Sequence, residues 1–362
     1  MYIPPLLKLP IDTIIDKRKI SHTIQDPNKP IGTGAEGSVF ALTSTLPNGD
    51  PLYLKVYHPK IFSDRYRDKV LAMTSPDRLQ AARPMLDFSS HPLSAAYAPS
   101  GKMIGFIMRG FEQGQPISAI FNKKELVRRH PRPSNIIALT VATHLAALVY
   151  RVHQAGYIIG DMNPNNFLVN TKLEVFALDV DSYQMKHDGK LFRCAGKVEN
   201  WIHPDLHGQD FTKVELQSEH DYYALSKIIF HLLMFGHDPF FAVYNDRNRE
   251  VPMSDLVKLR HYPYDQRRAK EVGISIPPSA LRPEDFSHRL ATRFRNAFMG
   301  SFNQIPRAQD WFDTLTDLRP ELVQCEDNIT HHHHKDTQCP MCAKQQESGG
   351  KTIFYQRSPY HG

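Results

Sequence analysis

Lys55, Asp161, Asn166 and Asp179 are the residues whose types and order could do chemistry. Asp161 and Asn166 stand five apart in "YIIGDMNPNNFLVN", and Asp179 follows in "VFALDVDSY", an apolar run that ends in acidic residues. A loop aspartate can accept or orient the proton of an attacking hydroxyl. An amide oxygen and a second carboxylate are hard ligands for Mg²⁺, which shares its shell with substrate phosphates. Lys55 lies in "PLYLKVY", flanked by apolar residues. A lysine on such a strand either snorkels to the surface or faces an anionic partner. In a nucleotide site it would hold the α- and β-phosphates. The plainer reading has Asp161 and Asn163 shaping a turn and Asp179 capping a strand. The order in which Lys55 and the acidic residues occur favours phosphoryl transfer.

The elements that must position these groups can be traced along the chain. "IGTGAEGSVF" carries Gly32, Gly34 and Gly37, followed by Val39. The same spacing serves a dinucleotide-binding turn, but that turn must open a helix. Here β-formers follow, then "PNGD" with the Asn48-Gly49 hairpin signal, then the strand of Lys55, so the loop joins antiparallel strands. Glycines there let backbone N–H groups close over phosphates; a plain glycine-rich hairpin is the bland alternative. A short helix is expected around Asp64 to Met73, then a Pro-rich irregular stretch, then a buried strand in "MIGFIMRGF". Ser134 is a good N-cap for a helix whose apolar stripe runs from Ile136 to Val152 and stops at Gly156. A second buried helix runs from about His220 to Phe235, closed by Gly236.

Composition bounds the rest. The 362 residues suffice for a two-lobed protein with an appendage, and 41% hydrophobic with 23% charged residues is ordinary for a globular chain. Net charge is +6, and "KKELVRRHPR", the one dense basic run, lacks interleaved aromatics, so nucleic acid is not the expected partner. No apolar run reads as long enough to span a bilayer, and the prolines and aspartate of "MYIPPLLKLPIDTIIDKRKI" interrupt any leader core, so a cytoplasmic location is expected. Three of the four cysteines crowd into the C-terminal tail, which favours a metal over disulfides. Cys325, one histidine of "HHHH" (His331 is the choice) and Cys339-Pro-Met-Cys342 could complete a Cys₃His tetrahedron for Zn²⁺; a polar tail with reduced thiols is the alternative. Cys194 reads as packing rather than redox.

The glycine loop, the strand lysine, the D-x-x-x-x-N loop and the D-x-D strand, in this order, resemble the eukaryotic-like protein kinase fold over residues 25 to 320. "HPDL" at 203 to 206 stands where kinases have Ala-Pro-Glu, and Asp221 matches the buried aspartate of the central helix. "GDMNPNN", "LDVDSYQ", "KVLAM" and "HLLMFGHDPF" resemble more closely a bacterial subgroup encoded beside a PP2C-type phosphatase and a von Willebrand A-domain protein, in settings such as tellurium-resistance-type gene clusters. The resemblance implies an α+β, bilobal fold: a β-rich N-lobe at 1–112, a helical C-lobe at 113–322, and a zinc-knuckle-like tail at 323–362. It implies ATP and Mg²⁺ (or Mn²⁺) as cofactors, transfer to Ser/Thr hydroxyls of a protein, and Asp161, Lys55 and Asn163 as catalytic residues. Gly32, Gly34, Gly37, Val39, Lys55 and Met108 would contact nucleotide, while Asn166, Asp179 and Asp181 would hold Mg²⁺. Small zinc elements also occur in the kinases it resembles.

Departures from the family pattern are as informative. Ile159 and Gly160 replace the histidine and arginine before the catalytic aspartate, so no cation awaits an activation-loop phosphate. Asn163 stands where a lysine is usual, and the D-F-G triplet reads Asp179-Val180-Asp181; Asp181 either binds metal or caps the next turn. No glutamate occurs between Glu36 and Glu112, so the helix that normally supplies the partner of Lys55 has none, and Asp68 is the expected substitute. A small-molecule kinase of aminoglycoside or choline type and a pseudokinase scaffold are the rival readings.

Overall fold

The Asn-Gly signal does what its chemistry demands. Gly49 takes a φ of +88°, and Leu46 N–H donates to the Asp50 carbonyl at 2.8 Å, closing the hairpin between the strands β4 (Gly37–Thr45) and β5 (Pro51–Tyr57). The computed structural model describes residues 12–111, 114–130, 132–194, 196, 198–246 and 251–349. The first eleven residues of "MYIPPLLKLPIDTIIDKRKI", and Glu112 and Gln113 at the expected lobe boundary, lie outside these. The chain divides into two compact units: Met1–Gly114 with Arg151–Ile159 and Phe176–Cys194, and Gln115–Tyr150 with Gly160–Val175 and Ala195–Gly362.

The first unit is built on a seven-stranded antiparallel sheet. With β1 (Thr13–Asp16), β2 (Ser21–Thr23), β3 (Gly32–Thr33), β6 (Pro92–Tyr97) and β7 (Met103–Arg109), its order is β2-β1-β6-β7-β5-β4-β3. One face buries Ile14, Ile24, Phe40, Leu42, Leu54 and Ile107. The other packs Tyr57, Phe106 and Met108 with Val70 of helix α1 (Asp64–Met73). This alternation is the period-2 reading of the strands made physical. Helix α2 (Pro76–Leu86) occupies the stretch expected to be irregular. Pro76 sits in the first turn, where its missing N–H costs nothing, and Pro84 falls in the last turn, so neither proline interrupts the middle of the helix.

The second unit is mainly helical. Its long helix, Asn135–Gln154, runs on into the first unit's segment, and Ser134 Oγ accepts from Ile136 N–H at 3.1 Å, as an N-cap should. By length and composition this helix could cross a membrane, which corrects the expectation that no segment could. Leu139, Val141, Ala142, Leu145, Ala146, Leu148, Val149 and Val152 are all buried in protein, the packing of a core helix. Helix Ser218–Leu233 packs with His288–Met299 and Ala308–Leu318. Phe230 lies 4.9 Å from Phe294 between ring centroids, and Trp311 Nε1 donates to Ser226 Oγ at 2.9 Å, so the core's one indole N–H is satisfied. The β-rich and helical units give the α+β class expected.

Candidate active site and metal centre

Lys55 faces the side of β5 that carries Tyr57, and its cross-strand neighbours are Val39 on β4 and Phe106 on β7. Only 5% of it is exposed. Its strand is gripped tightly: a Cβ on Gly105 would lie 1.8 Å from the Lys55 carbonyl oxygen, and one on Gly37 would lie 2.3 Å from that of Val56. Glycine at these two positions lets β7 and the loop approach the Lys55 strand. The loop itself is a tight hairpin in which Gly34 N–H donates to Gly37 O at 2.9 Å, and His58 N–H donates to Glu36 O at 2.8 Å. A Cβ added at Gly32 would meet nothing within 4 Å, and one at Gly34 would meet only the Gly37 carbonyl, at 4.0 Å. Val39 and Met108, expected at the nucleotide, belong to one apolar cluster with Phe106 and Tyr57.

Three carboxylates surround the Lys55 ammonium. Nζ donates to both oxygens of Asp181 at 2.9 Å and to Asp179 Oδ1 at 3.0 Å, while Glu36 Oε2 lies at 3.8 Å. Burial pulls the lysine's pKa down, but Asp181, Asp179 and Glu36 together outweigh it and hold the pKa above its ordinary value. Asp181 feels the same balance reversed: burial raises its pKa, and the Lys55 charge, the hydrogen bonds from Lys55 and Tyr57, and the Lys69 charge bring it below the usual carboxylate range. Tyr57 Oη donates to Asp181 Oδ2 at 2.7 Å. Asp179 takes a left-handed conformation (φ 51°), with its side chain 57% exposed.

Asp68 is not the partner of Lys55. It binds Lys190 at 3.1 Å and Arg67 at 3.3 Å on the exposed face of α1. The periodicity of α1 turns Lys69, not an acid, to the buried side. Burial lowers the Lys69 pKa to about 8, against the opposing pull of Cys194 and Asp181. Sequence reasoning missed Glu36, Tyr57 and Lys69 at this site; the x-Glu-Gly of the glycine loop and the i+2 spacing of Tyr57 from Lys55 were the available signals. Glu36 also accepts from Tyr66 Oη of α1 at 2.9 Å, tying the glycine loop to the helix.

In the second unit the loop bearing Asp161 is fixed from its backbone outward. Gly160 has a φ of +75°, which a side chain would strain, and its N–H donates to Asp221 Oδ1 at 2.9 Å. Asp221 is 1% exposed on helix Ser218–Leu233, so a carboxyl group deep in the core orients this loop. Asn166 Nδ2 donates to the Asp161 carbonyl at 3.0 Å and reaches its Oδ2 at 3.4 Å. That orientation leaves the Asn166 carbonyl oxygen for another donor or a cation. Asn163, 5% exposed, caps the short 3₁₀ turn Pro164–Asn166: its Oδ1 accepts from Asn165 N–H at 3.1 Å, and its Nδ2 is 3.5 Å from Asp161 O. Both ends of its side chain are spent within the loop. In "HPDL", His203 caps the turn Pro204–Leu206, and burial lowers its pKa to about 4.

The tail is a hairpin, Leu322–Gln324 with His332–His334, followed by helix Pro340–Glu347. Asn135 clamps it, exchanging two 2.8 Å hydrogen bonds with the backbone of His332. Cys325, His331, Cys339 and Cys342 present ligand atoms all within 4.8 Å of one another. Cys325 Sγ is 3.6 Å from Cys342 Sγ, and His331 Nδ1 is 3.5 Å from Cys342 Sγ and 3.7 Å from Cys339 Sγ. Zn–S bonds of about 2.3 Å and Zn–N bonds of about 2.0 Å give tetrahedral edges of about 3.5–3.8 Å, so these separations fit zinc. Burial keeps His331 neutral, with its pKa near 4, and pushes the Cys342 thiol up to about 12. The cysteine thiols would release their protons to solvent on binding zinc.

No protein-family profile matches the chain. It is similar to Protein kinase YegI from two strains of Escherichia coli, 27% identical over 325 and 321 residues, covering 88% and 86% of this chain and 48% of the relative in each case. It is also similar to Rho-associated protein kinase let-502 of Caenorhabditis briggsae, 24% identical over 201 residues, 53% of this chain and 16% of that protein. The chain thus spans about half the length of the curated relatives it matches over most of its own. A strand lysine held by carboxylates behind a glycine hairpin, together with these similarities, supports a protein-kinase-like family.

Proposed function

We propose that the protein is an ATP- and Mg²⁺-dependent protein kinase that transfers the γ-phosphoryl group to Ser or Thr hydroxyls of a protein. The observation that carries this reading is the buried Lys55 behind the glycine hairpin, with its charge held by Asp179 and Asp181. Asp161 takes the proton of the attacking hydroxyl, and Lys55 binds the α- and β-phosphates. Asp179 and Asn166 each retain an oxygen fit for a hard cation, whose charge would neutralise that developing on the phosphates. Gly160 stands in place of the arginine that would bind an activation-loop phosphate, so activity is not gated through that contact.

The test is transfer of label from γ-labelled ATP with Mg²⁺ or Mn²⁺ to the protein itself or to a partner. Asp161→Ala is expected to abolish transfer and keep nucleotide binding; transfer at the wild-type rate would sink the assignment. Nucleotide binding without transfer in the wild type would favour the scaffold reading, for which the Asn163 cap is the specific observation. Phosphorylation of amino alcohols or aminoglycosides would favour a small-molecule kinase. By resemblance, a PP2C-type phosphatase and a von Willebrand A-domain protein are the partners to try, in the cytoplasm. The tail cluster is proposed as a structural zinc site, closed by four protein ligands.

A further inference from the structure

We propose that Asp181 is the carboxylate that positions Lys55, in place of an acid on helix α1, and that Asp179, not Asp181, keeps an oxygen for the divalent ion. The inference rests on the nucleotide reading of Lys55 given above. Helix α1 has two acidic residues, and both are engaged elsewhere: Asp64 pairs with Arg67 at 2.8 Å, and Asp68 with Arg67 and Lys190. Its buried polar residue is a lysine. The helix therefore presents a cation where an anion is needed, and the anion must come from another element.

The turn after Asp179 supplies it. Val180–Ser182 forms a single 3₁₀ turn that points Asp181 inward, leaving its side chain 2% exposed, while Asp179 stays at 57%. Both Asp181 oxygens sit 2.9 Å from Lys55 Nζ, a bidentate grip that fixes the ammonium more firmly than the single bond from Asp179. Tyr57, two residues beyond Lys55 and so on the same side of β5, adds a 2.7 Å hydrogen bond to Oδ2. The strand thus carries both the lysine and the clamp on the lysine's partner.

The same contacts argue against a metal on Asp181. A divalent ion would bind about 2.1 Å from an oxygen that already accepts from an ammonium, with the buried Lys69 also acting on it. Two cations would then compete for one carboxylate in a medium that screens them poorly. Asp179 has only Oδ1 on Lys55, and its exposed side chain can accept an ion without evicting the lysine.

The experiment compares wild type, Asp181→Asn, Asp179→Asn and Tyr57→Phe in two assays: Mg²⁺ titration of fluorescent ATP-analogue binding, and kcat for phosphoryl transfer. Asp181→Asn is expected to lower kcat about 100-fold, as misplacement of a positioned group does, with half-saturating Mg²⁺ within about twofold of wild type. Asp179→Asn is expected to raise half-saturating Mg²⁺ roughly tenfold or more. Tyr57→Phe, which keeps the ring and the charge pair, should lower kcat about tenfold with no change in Mg²⁺ requirement, and covers the case in which Asp181→Asn fails to fold. A rise in Mg²⁺ requirement for Asp181→Asn equal to that of Asp179→Asn, or an unchanged kcat in Asp181→Asn and Tyr57→Phe, overturns the inference. If the wild type binds Mg²⁺-nucleotide but transfers nothing, the kinase reading fails, and the Mg²⁺ titrations still decide between the two aspartates. If it binds no nucleotide, both fall.

Discussion

Replacing Lys55 by methionine keeps the volume of the side chain and removes the cation between three carboxylates. Asp181, 4% exposed as a residue, then becomes a buried anion hydrogen-bonded only through Tyr57 among the described contacts. Breaking a buried pair in this way costs about 3–5 kcal/mol. Lys69 still acts on Asp181, which places the expected loss at the lower end, about 3 kcal/mol. For a folding unit of this size that is roughly 6–12 °C in melting temperature. The loss depends on pH. In the wild type the depressed Asp181 pKa means its contribution is complete above about pH 4 and fades only as pH falls through the folded value, so stability from this pair is level between pH 5 and 8. Without Lys55, burial dominates and the folded pKa of Asp181 rises above the unfolded one. The penalty is then full at high pH and relieved as pH falls through that raised value. Thermal melts of wild type and Lys55→Met from pH 8 to pH 5 should therefore converge, and Asp181→Asn added to Lys55→Met should recover at least about half of the loss at pH 8. A single variant as stable as wild type at pH 8, a gap that does not narrow, or a double variant no more stable than the single would refute the reasoning.

Gly105→Ala should destabilise by about 3 kcal/mol or more, because its Cβ meets the Lys55 carbonyl and forces β7 away from β5. Gly32→Ala, with nothing within 4 Å, should cost no more than about 1 kcal/mol, and urea titration of the two variants checks the contrast. Protein prepared with metal available is expected to hold about one zinc per chain by elemental analysis, and a chelator should lower the melting temperature of the wild type but not of Cys339→Ser. Absence of stoichiometric zinc would remove the metal centre.

Local chemistry made a good part of the fold legible. Asn48-Gly49, the Ser134 cap, the Ile136–Val152 stripe and the Gly156 stop each act locally, where propensity and hydrogen bonding decide, and the hairpin and the long helix stand where those signals put them. Helix α2 was not legible because a proline disrupts a helix in its middle but not in its first turn, and composition alone does not say which place Pro76 and Pro84 hold. The breadth of the first sheet was not legible either: β1 and β2 are short, and a strand of three or four residues carries little periodic signal.

For the candidate site, residue type and order alone led to the expectation that Lys55, Asp161, Asn166 and Asp179 serve one chemistry, and to the grouping of three cysteines and a histidine of the tail that the structure brings together. Those conclusions need only the identity of the groups and their sequence along the chain. Tertiary structure decided which anion meets which cation. Asp68 is nearer to Lys55 along the chain than Asp181 is, yet a helix turns Asp68 to solvent while a single 3₁₀ turn carries Asp181 inward to the ammonium. Ion pairing falls off with distance in space and with exposure to water, and neither can be read from separation in sequence.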